Sequence, residues 1–175
     1  SLFRLLVGLM TPYHGQVLWQ GEAISNDRDT YHKNLLYLGH QSGVKPELSA
    51  FENLRFYQQM FEPKFSGDLF QILAQVGLAG LEDIPAVQLS AGQQRRVALA
   101  RLWISTAPLW ILDEPFTAID KSGVKVLEQL FLNHAANQGM ILLTTHQDLN
   151  LPKANYSKLV LVKPPLEAMY AGVTR

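Results

Sequence analysis

Two adjacent carboxylates, Asp113 and Glu114, follow the apolar run 109–112. An unbroken apolar run of this length is typical of a buried strand in a parallel sheet, and such sheets bind ligands beyond the carboxyl ends of their strands. Asp113 could ligate Mg²⁺ there, because that ion prefers hard oxygen ligands. Glu114 could orient or deprotonate an attacking water. The alternative is a polar strand end at which Asp113 forms a turn.

A second candidate site is the segment Ser90, Ala91, Gly92 and Gln93, which opens a predicted helix. Main-chain N–H groups at a helix N-terminus bind anions. Gly92 would let a phosphate approach the main chain closely, and Ser90 adds a hydroxyl donor. The alternative is an ordinary serine N-cap followed by a permissive glycine.

Three further polar residues stand in comparable places. His146 follows the apolar run 141–144, and a neutral imidazole there could hydrogen-bond a phosphate or a water. Gln41 follows the run 35–39, and its amide could ligate Mg²⁺ or the water. Asp120 could serve as a helix N-terminal acid or belong to the same site. Taken alone, His146 and Gln41 are explained as ordinary loop residues and Asp120 as a helix N-terminal acid, so the hypothesis depends on the ordered set.

The apolar runs also predict the elements that position these residues. Strands are expected over 16–20, 35–39, 109–112, 141–144 and 159–162, and helices over 2–9, 49–61, 68–76, 91–105 and 124–137. This alternation predicts an α/β fold with a mostly parallel sheet. The helices between 49 and 76 stand apart from the alternation, which predicts a helical subdomain over about 43–105 within a single domain spanning 1–175.

Composition narrows the class of protein. Apolar residues make up 47% of the chain and charged residues 17%, as in globular proteins. The formal net charge is zero, so nucleic acid is not an expected partner. With no cysteine, disulfides and thiolate metal sites are excluded. The chain begins at Ser1 inside a helix-like pattern and without Met, from which we expect an N-terminal truncation.

Taken together, the ordered set resembles the ATPase domains of ABC transporters, which have a P-loop NTPase-like core and a helical subdomain. Gln41 corresponds to the Q-loop, 89–93 to the signature motif, 111–114 to the end of the Walker B motif, Asp120 to the D-loop and His146 to the H-loop. More closely, the chain is similar to ATP-binding subunits of bacterial haem-exporting ABC transporters of cytochrome c biogenesis. The stretches that carry this similarity are 34–41, 50–54, 80–85, 88–103, 110–120 and 144–147.

The resemblance implies a function and its partners. It implies an ATPase that uses ATP and Mg²⁺, with Glu114 and His146 as catalytic residues. Asp113 and Gln41 would serve the metal, and Asp120 with 90–93 the nucleotide. It further implies a head-to-tail dimer with a second copy, integral membrane transporter subunits as partners, and a place on the cytoplasmic face of the bacterial inner membrane. An ABC ATPase of DNA maintenance is the alternative, but the stretch 43–88 shows no sustained heptads.

Two departures from the family pattern bear on activity. The chain contains no Gly-x-x-x-x-Gly-Lys-Ser/Thr motif, the loop that grips the β- and γ-phosphates. We therefore expect these 175 residues alone to be a non-hydrolysing fragment that binds MgATP poorly. Ala91 stands where the general signature has glycine, a variant that the haem-export group shares.

The loop between Gln41 and the helix at 49 carries three apolar residues. Val44, Pro46 and Leu48 either contact a membrane partner or pack under their own helices.

Overall fold

The computed structural model of the chain describes residues 2–149, 151–152 and 156–161. In chain order its helices and strands are α1 (Leu2–Leu6), β1 (Leu18–Trp19), β2 (Glu22–Ala23), α2 (Arg28–Lys33), β3 (Leu35–Leu38), α3 (Ala50–Phe61), α4 (Leu69–Gln75), α5 (Ala91–Leu99), β4 (Leu109–Asp113), α6 (Lys121–Ala136) and β5 (Met140–Thr144). None of the helices in these ranges is both long and apolar enough to cross a bilayer.

Three parallel strands form the central sheet of the described residues, in the order β3, β4, β5. Leu38 lies opposite Leu112, and Asp113 lies opposite Thr144. Because the strands run in the same direction and end together, the residues that follow them meet at one edge, as the sequence predicted. The α/β class and the mostly parallel sheet are confirmed.

The side chains of β4 alternate between two hydrophobic clusters. Trp110 and Leu112 pack with the buried face of α6 on one side of the sheet, whereas Leu109 and Ile111 pack with α1 and α2 on the other. Period-two alternation puts neighbouring strand residues on opposite faces, and burial on both faces explains why the run is apolar throughout. This packing holds Asp113 at a fixed place at the end of β4.

The helices α3, α4 and α5 build a separate hydrophobic cluster around Leu54, Leu73 and Val97. Ser49 opens α3 through a capping box, in which its Oγ accepts from the Glu52 N–H at 3.1 Å and its own N–H donates to Glu52 Oε2 at 2.8 Å. The cluster lies inside the predicted helical subdomain of about 43–105, whose bounds stay a prediction. Val44 packs against it, which favours the second of the two interpretations of that residue.

The structure differs from the sequence-based predictions in several elements. The strand expected over 16–20 is shorter, β1, and it pairs with β2 in an antiparallel hairpin whose turn residues Gln20 and Gly21 take positive φ, 51° and 88°. The helix expected over 91–105 ends at Leu99 and continues as a 3₁₀ turn. The helix α2 was not predicted. Residues 159–161 form no strand, and residue 162 of that prediction lies outside the described residues.

Candidate functional site

At the carboxyl edge of the sheet lies a cleft of about 250 Å³. Its walls come from the turn after β4, the loop after β3 and the start of α5. The residues that line it are His40, Ser42, Ala91, Gln94, Arg95, Asp113, Glu114, Thr117 and Ala118. The structure therefore brings the predicted carboxylates and part of the predicted anion-binding segment to one cleft.

Asp113 and Glu114 are joined to the end of β5 by one side chain, that of Thr144. The Thr144 hydroxyl donates to Asp113 Oδ1 at 2.7 Å and accepts from the Glu114 N–H at 3.1 Å. This arrangement is possible because Thr144 is the register partner of Asp113 across the sheet. It orients the Asp113 carboxylate and ties down the first peptide of the turn that follows.

The Glu114 side chain meets His146, as expected for two residues that follow neighbouring strands. Glu114 Oε1 lies 3.4 Å from His146 Nε2, and the imidazole is 95% exposed whereas the Glu114 side chain is 25% exposed. Glu114 itself adopts φ 49°, in the left-handed region that a residue with a Cβ rarely occupies. Such strained residues cluster at functional sites and persist only when their surroundings hold them.

Those surroundings include Arg95 of α5, which is only 8% exposed. Its guanidinium donates to the carbonyl oxygens of Gly39, Asp113 and Glu114 at 2.9, 2.6 and 3.1 Å. Burial lowers the pKa of Arg95 from its ordinary value, and the nearby carboxylates of Asp113 and Glu114 act in the opposite direction. The cation thus lies beneath the turn that carries both carboxylates.

The predicted anion-binding segment forms a capped helix N-terminus. Ser90 is the N-cap of α5 and shares a capping box with Gln93, so its hydroxyl accepts from the Gln93 N–H at 3.2 Å. A Cβ on Gly92 would lie 2.9 Å from the carbonyl oxygen of Ala118, so any other residue there would force the two segments apart. Ala91 is exposed and lines the cleft, so its methyl group is accommodated in this structure.

Asp120 serves as the N-cap of α6, accepting from the Gly123 N–H. It also accepts from the Ser122 hydroxyl at 2.6 Å and forms an ion pair with Arg96. These hydrogen bonds, that from Ser122 first and that from Arg96 next, lower the pKa of Asp120 to about 2. Arg96 donates as well to the Val76 carbonyl at the end of α4. The Asp120 carboxylate is thus engaged within the chain, and its role toward nucleotide stays a prediction.

Gln41 does not line the cleft, and neither do the predicted site residues Ser90, Gly92, Gln93, Asp120 and His146. Gln41 is exposed on the loop after β3, and its neighbours His40 and Ser42 line the cleft. Sequence reasoning missed Arg95 and Thr144. The signal for Thr144 was its position as the last residue of an apolar strand, opposite Asp113. Arg95 gave no local signal, since its partners are distant in sequence.

The oxygen donors of the cleft would suit a bound Mg²⁺ ion. Asp113 offers a hard carboxylate oxygen at the cleft wall, with Oδ1 already oriented by the Thr144 hydroxyl. The described residues hold no cluster of three or more His, Cys, Asp or Glu side chains that could bind a metal alone. A single carboxylate suits Mg²⁺, which keeps several waters and takes further ligands from substrate phosphates.

Comparisons with known proteins agree with this geometry. The ABC transporter family matches residues 1–117. A cytochrome c biogenesis ATP-binding export protein CcmA of Haemophilus influenzae is 59% identical over 92% of this chain and 76% of its own length, and the CcmA of Yersinia pestis is 60% identical over 92% and 74%. A solved ATP-binding subunit of an ABC transporter matches with a TM-score of 0.71 and 22% identity, over 83% of this chain and 62% of that chain, which shows the shared fold. The chain therefore belongs to the ABC transporter family, among the ATP-binding export proteins of cytochrome c biogenesis.

Proposed function

We propose that the protein containing this chain hydrolyses ATP to drive haem export for cytochrome c biogenesis, as the ATP-binding subunit of an ABC transporter. The observation that carries the proposal is the turn after β4, where Glu114 lies beside His146 while Asp113 is oriented by Thr144. Identity of about 60% with ATP-binding export proteins of cytochrome c biogenesis supports a role in that export.

In this function Glu114 acts on the attacking water. Its carboxylate lies at the cleft wall and remains partly exposed, so it can accept a proton from a water held in the cleft. His146 Nε2, 3.4 Å from Glu114 Oε1, is placed to hydrogen-bond the same water or a phosphate oxygen. Bound Mg²⁺ would neutralise phosphate charge beside Asp113. Arg95 and Thr144 keep the turn in the shape that presents the two carboxylates.

The start of α5 is proposed to bind phosphate across a dimer. Ser90 and Ala91 are exposed, so the N-terminal dipole of α5 is open to a nucleotide held by a second copy in a head-to-tail arrangement. Gly92 supports this role by bringing the helix start close to the loop of Ala118. Asp120 is expected to contribute from that same loop region, and Gln41 from the loop after β3.

A groove of about 320 Å³ between β3 and α3 is the surface that we assign to the integral membrane subunits. We call it the docking groove, and it is bordered by Lys45, Phe56, Tyr57, Phe61 and Arg101. Phe56 and Phe61 are 42% and 63% exposed, an apolar surface that contact with a partner would cover. It adjoins the loop after β3, whose His40 and Ser42 line the cleft. From the similarity to ATP-binding export proteins we propose, in addition, a position at the cytoplasmic face of the bacterial inner membrane, with attachment through these subunits.

The alternative of an ABC ATPase of DNA maintenance is not favoured by the structure. The stretch between the cleft loop and α5 folds into the short helices α3 and α4 with their own hydrophobic cluster. The formal net charge of zero also offers no general attraction for phosphate backbones. Nucleic acid is accordingly not among the proposed partners.

The deciding experiment compares Glu114→Gln with the wild type in the full-length gene product that contains this chain. Loss of a positioned general base should reduce steady-state ATP turnover by roughly 10²–10⁴-fold. Equilibrium binding of MgATP should stay close to that of the wild type, because the amide keeps the size of the side chain. Glu82→Gln, a matched change outside the cleft, should leave turnover unaltered. Turnover of the Glu114→Gln protein within a few-fold of the wild type would remove Glu114 from the catalytic role.

A second measurement addresses the 175 residues by themselves. Because they contain no glycine-lysine phosphate loop, we expect a titration with MgATP to show binding weaker than micromolar. Micromolar or tighter binding by this chain would mean that the cleft and α5 hold the phosphates without such a loop.

A further inference from the structure

The guanidinium of the buried Arg95 donates its hydrogen bonds to main-chain carbonyl oxygens. Its guanidinium donates to the oxygens of Gly39, Asp113 and Glu114, and the side chain is 8% exposed. Within the part of the chain that the structure describes, Arg95 forms no ion pair, and its Nε finds no hydrogen-bond partner. Burying a charge is unfavourable unless it is well bonded, so a neutral side chain would serve stability at lower cost.

The three carbonyls belong to two different strand ends. Gly39 follows β3, whereas Asp113 ends β4 and Glu114 opens the turn. A planar guanidinium presents several donors in a fixed fork, which suits it to hold two chain segments at a set distance. Arg95 therefore fixes the separation of the two loops after β3 and β4, both of which line the cleft.

Of the three hydrogen bonds, the one to the Glu114 carbonyl bears most directly on the catalytic carboxylate, because the main chain of Glu114 is strained. Its φ of 49° lies in the left-handed region, which disfavours a residue with a side chain. Thr144 holds the N–H of Glu114 and Arg95 holds its carbonyl, so both peptides that flank the residue are fixed. Without the guanidinium the Glu114 turn could relax toward an ordinary conformation, and its carboxylate would swing relative to His146.

We propose that Arg95 is a positioning residue for ATP hydrolysis, which acts by holding Glu114 in its strained conformation and by tying that conformation to α5. This inference rests on the proposed function. Arg95 lies on the same helix that Ser90 opens, so any shift of α5 on binding of phosphate moves the guanidinium and with it the carbonyl of Glu114. The position of the catalytic carboxylate then depends on the occupancy of the helix start.

The kinetic test uses Arg95→Gln and Arg95→Lys in the full-length gene product. Arg95→Gln should lower kcat by about 10–100-fold, the loss typical of a misplaced reacting group, while KM for MgATP changes by less than about threefold. Arg95→Lys keeps the positive charge but loses the planar set of donors. Its kcat should lie between that of the wild type and that of Arg95→Gln. Arg28→Gln is the matched control, since Arg28 also donates to a main-chain carbonyl, that of Gly8 at 2.6 Å, outside the cleft. A kcat of Arg95→Gln within twofold of the wild type would overturn the proposal.

A double-mutant cycle separates positioning from general structural damage. If Arg95 acts through the Glu114 carboxylate, Arg95→Gln should add less than about threefold to the loss already caused by Glu114→Gln. Losses that multiply in full would contradict the inference. Should Arg95→Gln fail to fold, the same cycle is made with Arg95→Lys, and a Lys variant equal to the wild type would then overturn it.

A third readout needs neither ATP nor hydrolysis. Amide hydrogen exchange of the nucleotide-free chain should become faster over 110–117 in Arg95→Gln, and stay unchanged there in Arg28→Gln. Unchanged exchange over this segment would refute the positioning role. If the wild-type protein itself failed to hydrolyse ATP, the proposed function would be wrong, whereas the exchange experiment would still decide whether Arg95 holds the turn.

Discussion

Replacing Thr144 by Val tests whether the hydroxyl joins the two carboxylate residues. Val has nearly the same shape as Thr, so the change removes little besides two hydrogen bonds. These are the bond that the hydroxyl donates to Asp113 Oδ1 at 2.7 Å and the bond that it accepts from the Glu114 N–H at 3.1 Å. A bond to a charged acceptor contributes about 1.5–3 kcal/mol and a neutral one about 0.5–1.5 kcal/mol. Thr144 is exposed and Asp113 is partly exposed, so water recovers part of both. We expect a net loss of roughly 1–2 kcal/mol in the free energy of unfolding.

The assay is thermal and urea unfolding of the nucleotide-free chain. For a protein of this size the expected loss lowers the midpoint of thermal unfolding by roughly 2–8 °C. Thr144→Ser is the matched control, because it keeps the hydroxyl and removes only an exposed methyl group, and it should stay within about 0.5 kcal/mol of the wild type. A Thr144→Val protein as stable as the wild type, or a Ser variant as unstable as the Val variant, would refute the reasoning.

Three other predictions follow from the same region and from the docking groove. The folded-state pKa of Asp120 lies at about 2, below its ordinary value of 3.8, so the ionised carboxylate stabilises the fold above about pH 4 and this stability is lost as the pH falls toward 2. Asp120→Asn should therefore lower the unfolding midpoint at pH 7 but not near pH 2, and an equal difference at both pH values would contradict it. Gly92→Ala places a Cβ 2.9 Å from the Ala118 carbonyl and should cost about 1–3 kcal/mol in urea unfolding, whereas Ala91→Gly should cost less. Phe56→Asp in the docking groove should abolish co-purification with the membrane subunits without unfolding the chain. Val87→Asp, at a site that is 67% exposed and outside the groove, should leave co-purification unchanged. Unchanged co-purification of the Phe56→Asp protein would rule out the groove.

The sequence predicts the central elements well because their signals are local. Each strand of the sheet is an unbroken apolar run, and burial on both faces demands such a run. The capping box at Ser49 is likewise contained in four neighbouring residues. By contrast, α2 is polar apart from Tyr31 and shows no periodicity. It forms because Asp27 caps it and because the Tyr31 hydroxyl donates to the Leu6 carbonyl at 2.7 Å, a contact between distant residues.

In the candidate site, too, some residues could be placed from the sequence and others could not. Glu114 and His146 could be placed together from sequence, since both follow apolar strands and parallel strands end at one edge. Their distance of 3.4 Å bears out that inference. Gln41 follows a strand too, but the chain turns after β3 so that its neighbours line the cleft instead. A strand end therefore specifies a neighbourhood, and the loop conformation decides which side chain enters it.

What the sequence does not reveal is the set of bonds that makes the turn after β4 rigid. Arg95 reaches Gly39 across 56 positions of the chain, and Thr144 reaches Asp113 across 31. Both residues lie outside the turn itself, Arg95 in α5 and Thr144 at the end of β5. Yet Glu114 occupies a strained conformation, and these distant bonds hold the two peptides that flank it. The catalytic carboxylate is thus specified locally by the chain and positioned by the fold, which makes α5, through Arg95, part of the site as well as a neighbour of it.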